Sequence, residues 1–153
     1  MKNFLIILIL FLVDQLTKNF VVDSIILNSS HKVSSFLNII FIYNKGFLFG
    51  YFSDLPDLIL LFIHLGLFFV SIYIIFKFLF MDYKYRHIAI LFFAGALGNS
   101  FDRFFREGVV DFLDFHFYEI HWPAFNFADS YIFIGVIIYI IKYVREEKIC
   151  SQE

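Results

Sequence analysis

The sequence predicts an all-α membrane protein, four transmembrane helices with a small membrane-surface β-sheet on the outer side. Three observations predict it. The 153 residues are 61% hydrophobic, where a soluble domain is nearer about 45–50%. Four apolar stretches reach the ~20 residues that an α-helix needs to cross hydrocarbon. Between the first two lies a β-branched and aromatic run, residues 36–43, whose composition suits strands.

The chain reads as a single integral membrane domain over 1–153. The spans are expected at 4–22, 57–80, 87–105 and 126–144, with outer loops at 23–57 and 106–125. Lys2 followed by FLIILILFLV resembles a signal peptide. No small-x-small cleavage site follows, so an uncleaved first helix is expected. The second span starts after Pro56, and MDYKYR is a polar turn before the third.

Basic residues near the span ends set the orientation. With both termini cytoplasmic, the inner side holds Lys2, Lys77, Lys84, Arg86, Lys142, Arg145 and Lys148. The outer side holds Lys18, Lys32, Lys45, Arg103 and Arg106. Both long loops then face outward together, as a shared site requires. Tyr43, Tyr118 and Trp122 are expected as interfacial anchors for the sheet.

Composition also excludes function classes. The net charge of −2 offers no basic surface for nucleic acid. The one cysteine, Cys150, excludes an intrachain disulfide framework and a cysteine zinc cluster. His31, His64, His87, His116 and His121 form no HExxH motif, so the histidines offer no metal-ligand spacing.

Against this background the stretch from Gly95 to Asp129 is anomalous. A charge at mid-bilayer costs roughly 2.5–3.5 kcal/mol by insertion scales, so polar residues kept there are usually functional. In the third span Ala94, Gly95, Ala96 and Gly98 permit close helix packing. Asn99, Asp102, Arg103 and Arg106 then follow at i, i+3, i+4 and i+7, one helical face above that seam. In the first span Asp14 and Lys18 lie four apart and can pair, as structural support or as part of a site.

Asn126 is a plausible N-cap for the fourth helix. Asp129 then falls where free backbone N–H groups and the helix dipole favour an ionised carboxylate. A plain helix cap explains Asp129 taken alone. Asp111 lies in VVDFLDF, read as an apolar loop, where desolvation raises a carboxyl pKa. Two carboxylates in such different settings can divide the work of an aspartic protease. One ionised group takes a proton from water, and one protonated group polarises the carbonyl. Asp111 and Asp129 are therefore the expected catalytic pair.

Four blocks carry a resemblance. DQLTK (14–18), NKGFLFG (44–50), GALGNSFDRFFREGVVDF (95–112) and FNFADS (125–130) resemble, in order, the motifs of the lipoprotein signal peptidases, the type II signal peptidases of bacteria. The likeness implies a membrane aspartic endopeptidase without metal or cofactor. Such an enzyme cleaves prolipoproteins just before a diacylglyceryl-modified cysteine. By motif position it implies Asp111 and Asp129 as the catalytic pair. It implies Asp14, Lys18, Asn44, Gly46, Asn99, Asp102, Arg103 and Asn126 as substrate-binding or supporting residues. It implies lipidated prolipoprotein substrates, contact with membrane lipid, and a site at the outer face of the cytoplasmic (inner) membrane. A monomer is the expected state. Leu48 departs from the smaller residue common in the family, which bears on the groove near Phe49.

The rival reading is a small proton-coupled transporter or channel. It would also hold Asp14, Lys18, Asp102 and Asp129 within helices. Discontinuous helices or paired repeats would mark such a protein, and the sequence shows neither.

Overall fold

The computed structural model describes residues 2–46, 55–77 and 83–150. Four long helices appear in order: α1 (Lys2–Ser24), α2 (Asp57–Phe76), α3 (Arg86–Phe105) and α4 (Phe127–Cys150). A 3₁₀ turn, Tyr83–Tyr85, leads into α3. Three helical segments, Lys2–Ser24, Arg86–Phe105 and Phe127–Glu147, are long and apolar enough to cross a membrane, and α2 carries a shorter apolar stretch, Leu58–Tyr73. Residues 78–80, which the sequence assigns to the second span, lie outside the described residues, as do residues 47–50 with Leu48 and Phe49.

The helices are inside-out compared with those of a water-soluble bundle. In α1, Phe4, Leu5, Ile9, Leu16 and Phe20 are exposed, while Asp14, Gln15 and Lys18 are buried with Ile7 and Val21. Apolar side chains facing hydrocarbon cost nothing there, whereas polar ones must find partners inside. The polar residues of α1 therefore decide which face turns inward.

α3 is the central helix and touches α1, α2 and α4. Its small residues make this possible. A Cβ on Gly95 would run into the Ala128 carbonyl oxygen and would stand 2.6 Å from Ile132 Cγ1. A Cβ on Gly98 would stand 2.5 Å from Asp14 Oδ2 and 3.2 Å from Ala128 Cβ. The glycines thus bring α4 against α3 and leave room for a carboxylate from α1. Edge-to-face aromatic pairs complete the packing, Phe11 with Phe101 at 5.6 Å and Phe68 with Phe104 at 6.1 Å.

Four strands form one antiparallel sheet in the order β1 (Ser30–Lys32), β2 (Leu37–Asn44), β3 (Val109–Phe117) and β4 (Ile120–His121). The sequence places strand character in the first outer loop and reads 106–125 as loop. The structure corrects this: the second segment supplies β3 and β4, and Asp111 stands on a strand. Val110 and Phe112 of β3 pack with Phe41 of β2 and Val21 of α1 in a buried cluster. Burying each such side chain contributes roughly 1.5–3 kcal/mol relative to exposure in water. Phe112 also meets Phe127 edge-on at 5.6 Å, tying β3 to the start of α4. Side chains alternate along a strand, so Asp111 points away from Val110 and Phe112.

A bulge interrupts the β2–β3 ladder, where Ile39 pairs with Leu113 but Ile42 pairs with Asp111. The extra residue lies on β2, so β3 keeps its alternation. On its other edge, Phe112 and Leu113 N–H donate to the Phe125 carbonyl. That bond delivers the chain to the start of α4 beside Asp111.

Tyr43 is half-buried and packs edge-on against Phe41 at 5.0 Å, beside the apolar cluster. Helix α4 continues past residue 144, where the expected span ends, to Cys150.

Candidate active site

Two layers of polar residues meet where α1, α3, the start of α4 and β3 converge. The lower layer is ionic. Lys18 is fully buried, and its Nζ lies 2.9 Å from Asp14 Oδ2 and 2.9 Å from Asp102 Oδ2. It also donates to Asn99 Oδ1 at 3.0 Å. All three ammonium protons therefore have acceptors. Asp14 Oδ1 accepts from the Ala128 N–H at 2.9 Å, so a carboxylate from α1 caps the first turn of α4. Asp102 takes Arg106 Nη1 at 3.0 Å and the Val110 N–H at 3.2 Å. The lower layer thus holds β3 and α4 in place as well as balancing charge.

The upper layer contains Asp111 and Asp129, and its immediate partners are amides. Asp111 Oδ1 accepts from Asn126 Nδ2 at 2.7 Å, and Oδ2 from Asn44 Nδ2 at 3.0 Å. Asp129 Oδ1 accepts from Asn99 Nδ2 at 2.7 Å, and Oδ2 from the Asn126 N–H at 3.2 Å. Asn126 Oδ1 in turn accepts from the Asp129 N–H at 3.0 Å. Asn126 and Asp129 therefore form a reciprocal capping box, with aspartate in place of the usual Glu or Gln. Asn126 also joins the two carboxylates, its backbone N–H donating to Asp129 and its side-chain nitrogen to Asp111.

Arg103 donates from Nη1 to the Asn99 carbonyl at 3.3 Å and lies within electrostatic reach of Asp129, Asp111 and Asp102. Gly46 N–H donates to Asn44 Oδ1 at 3.1 Å and orients that amide. A Cβ on Gly108 would stand 2.9 Å from the Asn44 carbonyl oxygen, so that glycine lets the start of β3 close on Asn44.

Burial pushes the Asp111 carboxyl up to about 7, and the charge of Asp129 adds to the rise. Hydrogen bonds from Asn44 and Asn126 and the charge of Lys18 pull the other way without cancelling it. Asp114, three residues along the same strand, behaves oppositely. Burial raises it, but hydrogen bonds from Asn38 and His121 outweigh that, and its carboxyl lies below the usual range. Asp111 can hold a proton near neutral pH and Asp114 cannot.

The ten residues expected as catalytic or supporting fall in one connected network: Asp14, Lys18, Asn44, Gly46, Asn99, Asp102, Arg103, Asp111, Asn126 and Asp129. Sequence reasoning missed Gln15. Its Nε2 lies within hydrogen-bonding distance of three acceptors for its two protons, Asp14 Oδ2 at 3.1 Å, the Gly98 carbonyl oxygen at 3.1 Å and Asp102 Oδ1 at 3.2 Å. Arg106 was seen as part of a polar stripe but not as a supporting residue; its Nη2 donates to Gln15 Oε1 and Asn19 Oδ1. The available signal was position, because Gln15 sits between Asp14 and Lys18 on a face that must turn inward.

The arrangement places two buried carboxylates in one hydrogen-bonded network, each oriented by amide donors and set beside a layer of paired charges. Relatives carry the same pattern of likeness through the chain. The family model described as Signal peptidase (SPase) II matches residues 6–145. A lipoprotein signal peptidase of Thermodesulfovibrio yellowstonii is 35% identical over 145 residues, covering 95% of this chain and 96% of that protein. One from Aquifex aeolicus is 44% identical over 138 residues, covering 87% and 80%. A solved structure titled as a bacterial membrane enzyme, determined by the in meso method at 2.3 Å, superposes with a TM-score of 0.79 at 31% identity, covering 95% of this chain and 89% of that one. A match across nearly the whole sequence, together with the same fold, means that this chain belongs to the signal peptidase II family.

Proposed function

We propose that this protein is a membrane aspartic endopeptidase that removes signal peptides from prolipoproteins, cleaving before the diacylglyceryl-modified cysteine. Its relatives are named lipoprotein signal peptidases, which supports the substrate class. The observation that carries the catalytic reading is the Asn126 bridge, one residue that donates to the Asp111 carboxylate from its side chain and to the Asp129 carboxylate from its backbone N–H.

The proton accounting follows from the two settings. Asp111, in its acid form, donates to the scissile carbonyl oxygen. Asp129, as carboxylate, takes a proton from the attacking water. Hydroxide adds to the carbonyl carbon and gives a tetrahedral diol. As the C–N bond breaks, the proton on Asp129 passes to the leaving nitrogen, the α-amine of the lipidated cysteine. The carbonyl reforms, its proton returns to Asp111, and both groups regain their starting states. Arg103 offsets the negative charge of the pair or holds a substrate oxygen, and Asn99 holds Asp129.

The proposed setting is the outer face of the inner membrane, with four spans, both termini cytoplasmic and the chain acting as a monomer. Phe117, Tyr118, Ile120 and Trp122 are exposed on and beside the β3–β4 hairpin. Apolar and aromatic side chains at such a site would rest in the headgroup region, where the lipidated substrate lies. The lipid chains would stay in the bilayer while the peptide bond reaches the pair.

The test uses purified protein, a lipidated precursor peptide and the same peptide without lipid. The expected result is cleavage of the lipidated peptide only, before the cysteine. Asp111→Asn and Asp129→Asn should each slow it by at least about 1000-fold, with folding retained. Near wild-type cutting by either variant rejects the pair.

A further inference from the structure

We infer that Lys18 is a positioning residue for cleavage: its ammonium fixes which way the Asn99 amide faces, so that Asn99 presents N–H to Asp129. The inference rests on the catalytic reading above and deepens it.

An asparagine amide has a donor end and an acceptor end of nearly equal size, so only its partners decide its orientation. Three such amides meet the carboxylate pair, and each has a donor on its far side. Gly46 N–H takes the Asn44 oxygen, so Asn44 turns its nitrogen to Asp111. Asp129 N–H takes the Asn126 oxygen, so Asn126 turns its nitrogen to Asp111. Lys18 Nζ takes the Asn99 oxygen at 3.0 Å, so Asn99 turns its nitrogen to Asp129 at 2.7 Å.

The first two locks are backbone groups that no side-chain substitution removes. The third is a single side chain reaching from another helix. Reversal of the Asn99 amide would set an oxygen against the Asp129 carboxylate, two acceptors with no proton between them. Asn99 would lose a charge-assisted bond and gain a repulsion. A lysine that only balanced charge would need Asp14 and Asp102 and no third partner. The Asn99 bond uses its remaining proton.

The test compares two variants by cleavage of the lipidated peptide and by the side-chain amide signal of Asn99 in ¹⁵N-asparagine-labelled protein. That signal is identified by its loss in Asn99→Ser. The amide signal reads orientation whether or not the protein cuts, so it separates failure of this inference from failure of the catalytic reading. In wild type, Asn99 is expected to show one strongly downfield amide proton, which moves in Asp129→Asn. In Lys18→Met only Asp129 still orients the amide, so that downfield proton moves clearly upfield, and kcat/KM falls about 10- to 100-fold, the loss of one hydrogen bond to a charged group.

Lys18→Met also leaves Asp14 and Asp102 unbalanced, and if it does not fold, Asn99→Asp decides. That change is nearly isosteric and keeps a partner for Lys18, but it turns oxygen toward Asp129. It is expected to fold and to lose at least as much activity. The inference is overturned if Lys18→Met folds and keeps the downfield proton, or if it folds and cuts within about 3-fold of wild type. It is equally overturned if Asn99→Asp folds and cuts at near wild-type rate.

Discussion

The two polar layers of this protein solve the same problem in opposite ways. In the lower layer, carboxylates from Asp14 and Asp102 are met by cations, Lys18 at 2.9 Å from each and Arg106 at 3.0 Å from Asp102. In the upper layer, Asp111 and Asp129 are met first by amides. Cations cancel charge, whereas amides orient a carboxylate without neutralising it. The lower layer thus ties α1, α3, β3 and α4 together through paired charges, and the upper one holds its carboxylates by directed hydrogen bonds. The contrast teaches that buried carboxylates can be held by cations or by amides, and the proposed pair is the one held by amides.

Breaking the lower layer should give the largest effect. Asp14→Ala removes one partner of a buried pair and the cap on Ala128. It should cost about 3–5 kcal/mol, as uncompensated buried charges do, read as a lowered unfolding midpoint in detergent. Leaving stability unchanged would show that the ionic layer is not structural.

The upper layer should respond with the opposite sign. The Asp111 carboxyl rises on folding from an ordinary 3.8 to about 7. A group raised in the folded state stabilises below its unfolded pKa, and that contribution is lost as pH rises through the folded value. Wild type should therefore lose up to about 4 kcal/mol between pH 4 and pH 7 from this group, at about 1.4 kcal/mol per pKa unit. Asp111→Asn should lack that loss, so its stability relative to wild type should grow with pH even as cleavage disappears. Parallel pH–stability curves would contradict the desolvated setting of Asp111.

A smaller effect should follow Asn44→Ala. The Asn44 hydrogen bond favours the charged form of Asp111, so its removal raises that carboxyl further. The basic limb of the cleavage profile should move to higher pH by about one unit, for a bond worth roughly 1.5 kcal/mol. A downward shift would reverse the assignment of Asp111 as the proton carrier. The smallest effect should come from His121→Ala at the far end of the sheet. It removes a half-exposed partner of Asp114 at 2.7 Å and should change stability by at most about 1 kcal/mol.

How much of this was legible in the sequence depends on how local each signal is. The helices were readable because long apolar runs and small residues act within one segment. The inward face of α1 was readable from Asp14 and Lys18, four apart. The capping role of Asn126 and Asp129 was readable because a cap is a three-residue signal. Strand β3 was not, because VVDFLDFHF has no turn chemistry of its own and pairs with β2, about 70 positions away. For the same reason Asn44 could be placed beside Asp111 only by resemblance. The partners of Gln15 on α3 depend on how α1 rotates against it, which no single segment encodes.

The most direct test of the account is an infrared titration of ¹³C-aspartate-labelled protein. The two carboxyls are coupled, so the titration belongs to the pair, and Asp111→Asn assigns its upper step. A protonated-carboxyl band should persist to near pH 7, vanish above it, and be missing in Asp111→Asn. Loss of that band near the ordinary aspartate value, with nothing titrating around neutrality, would contradict this reading of Asp111.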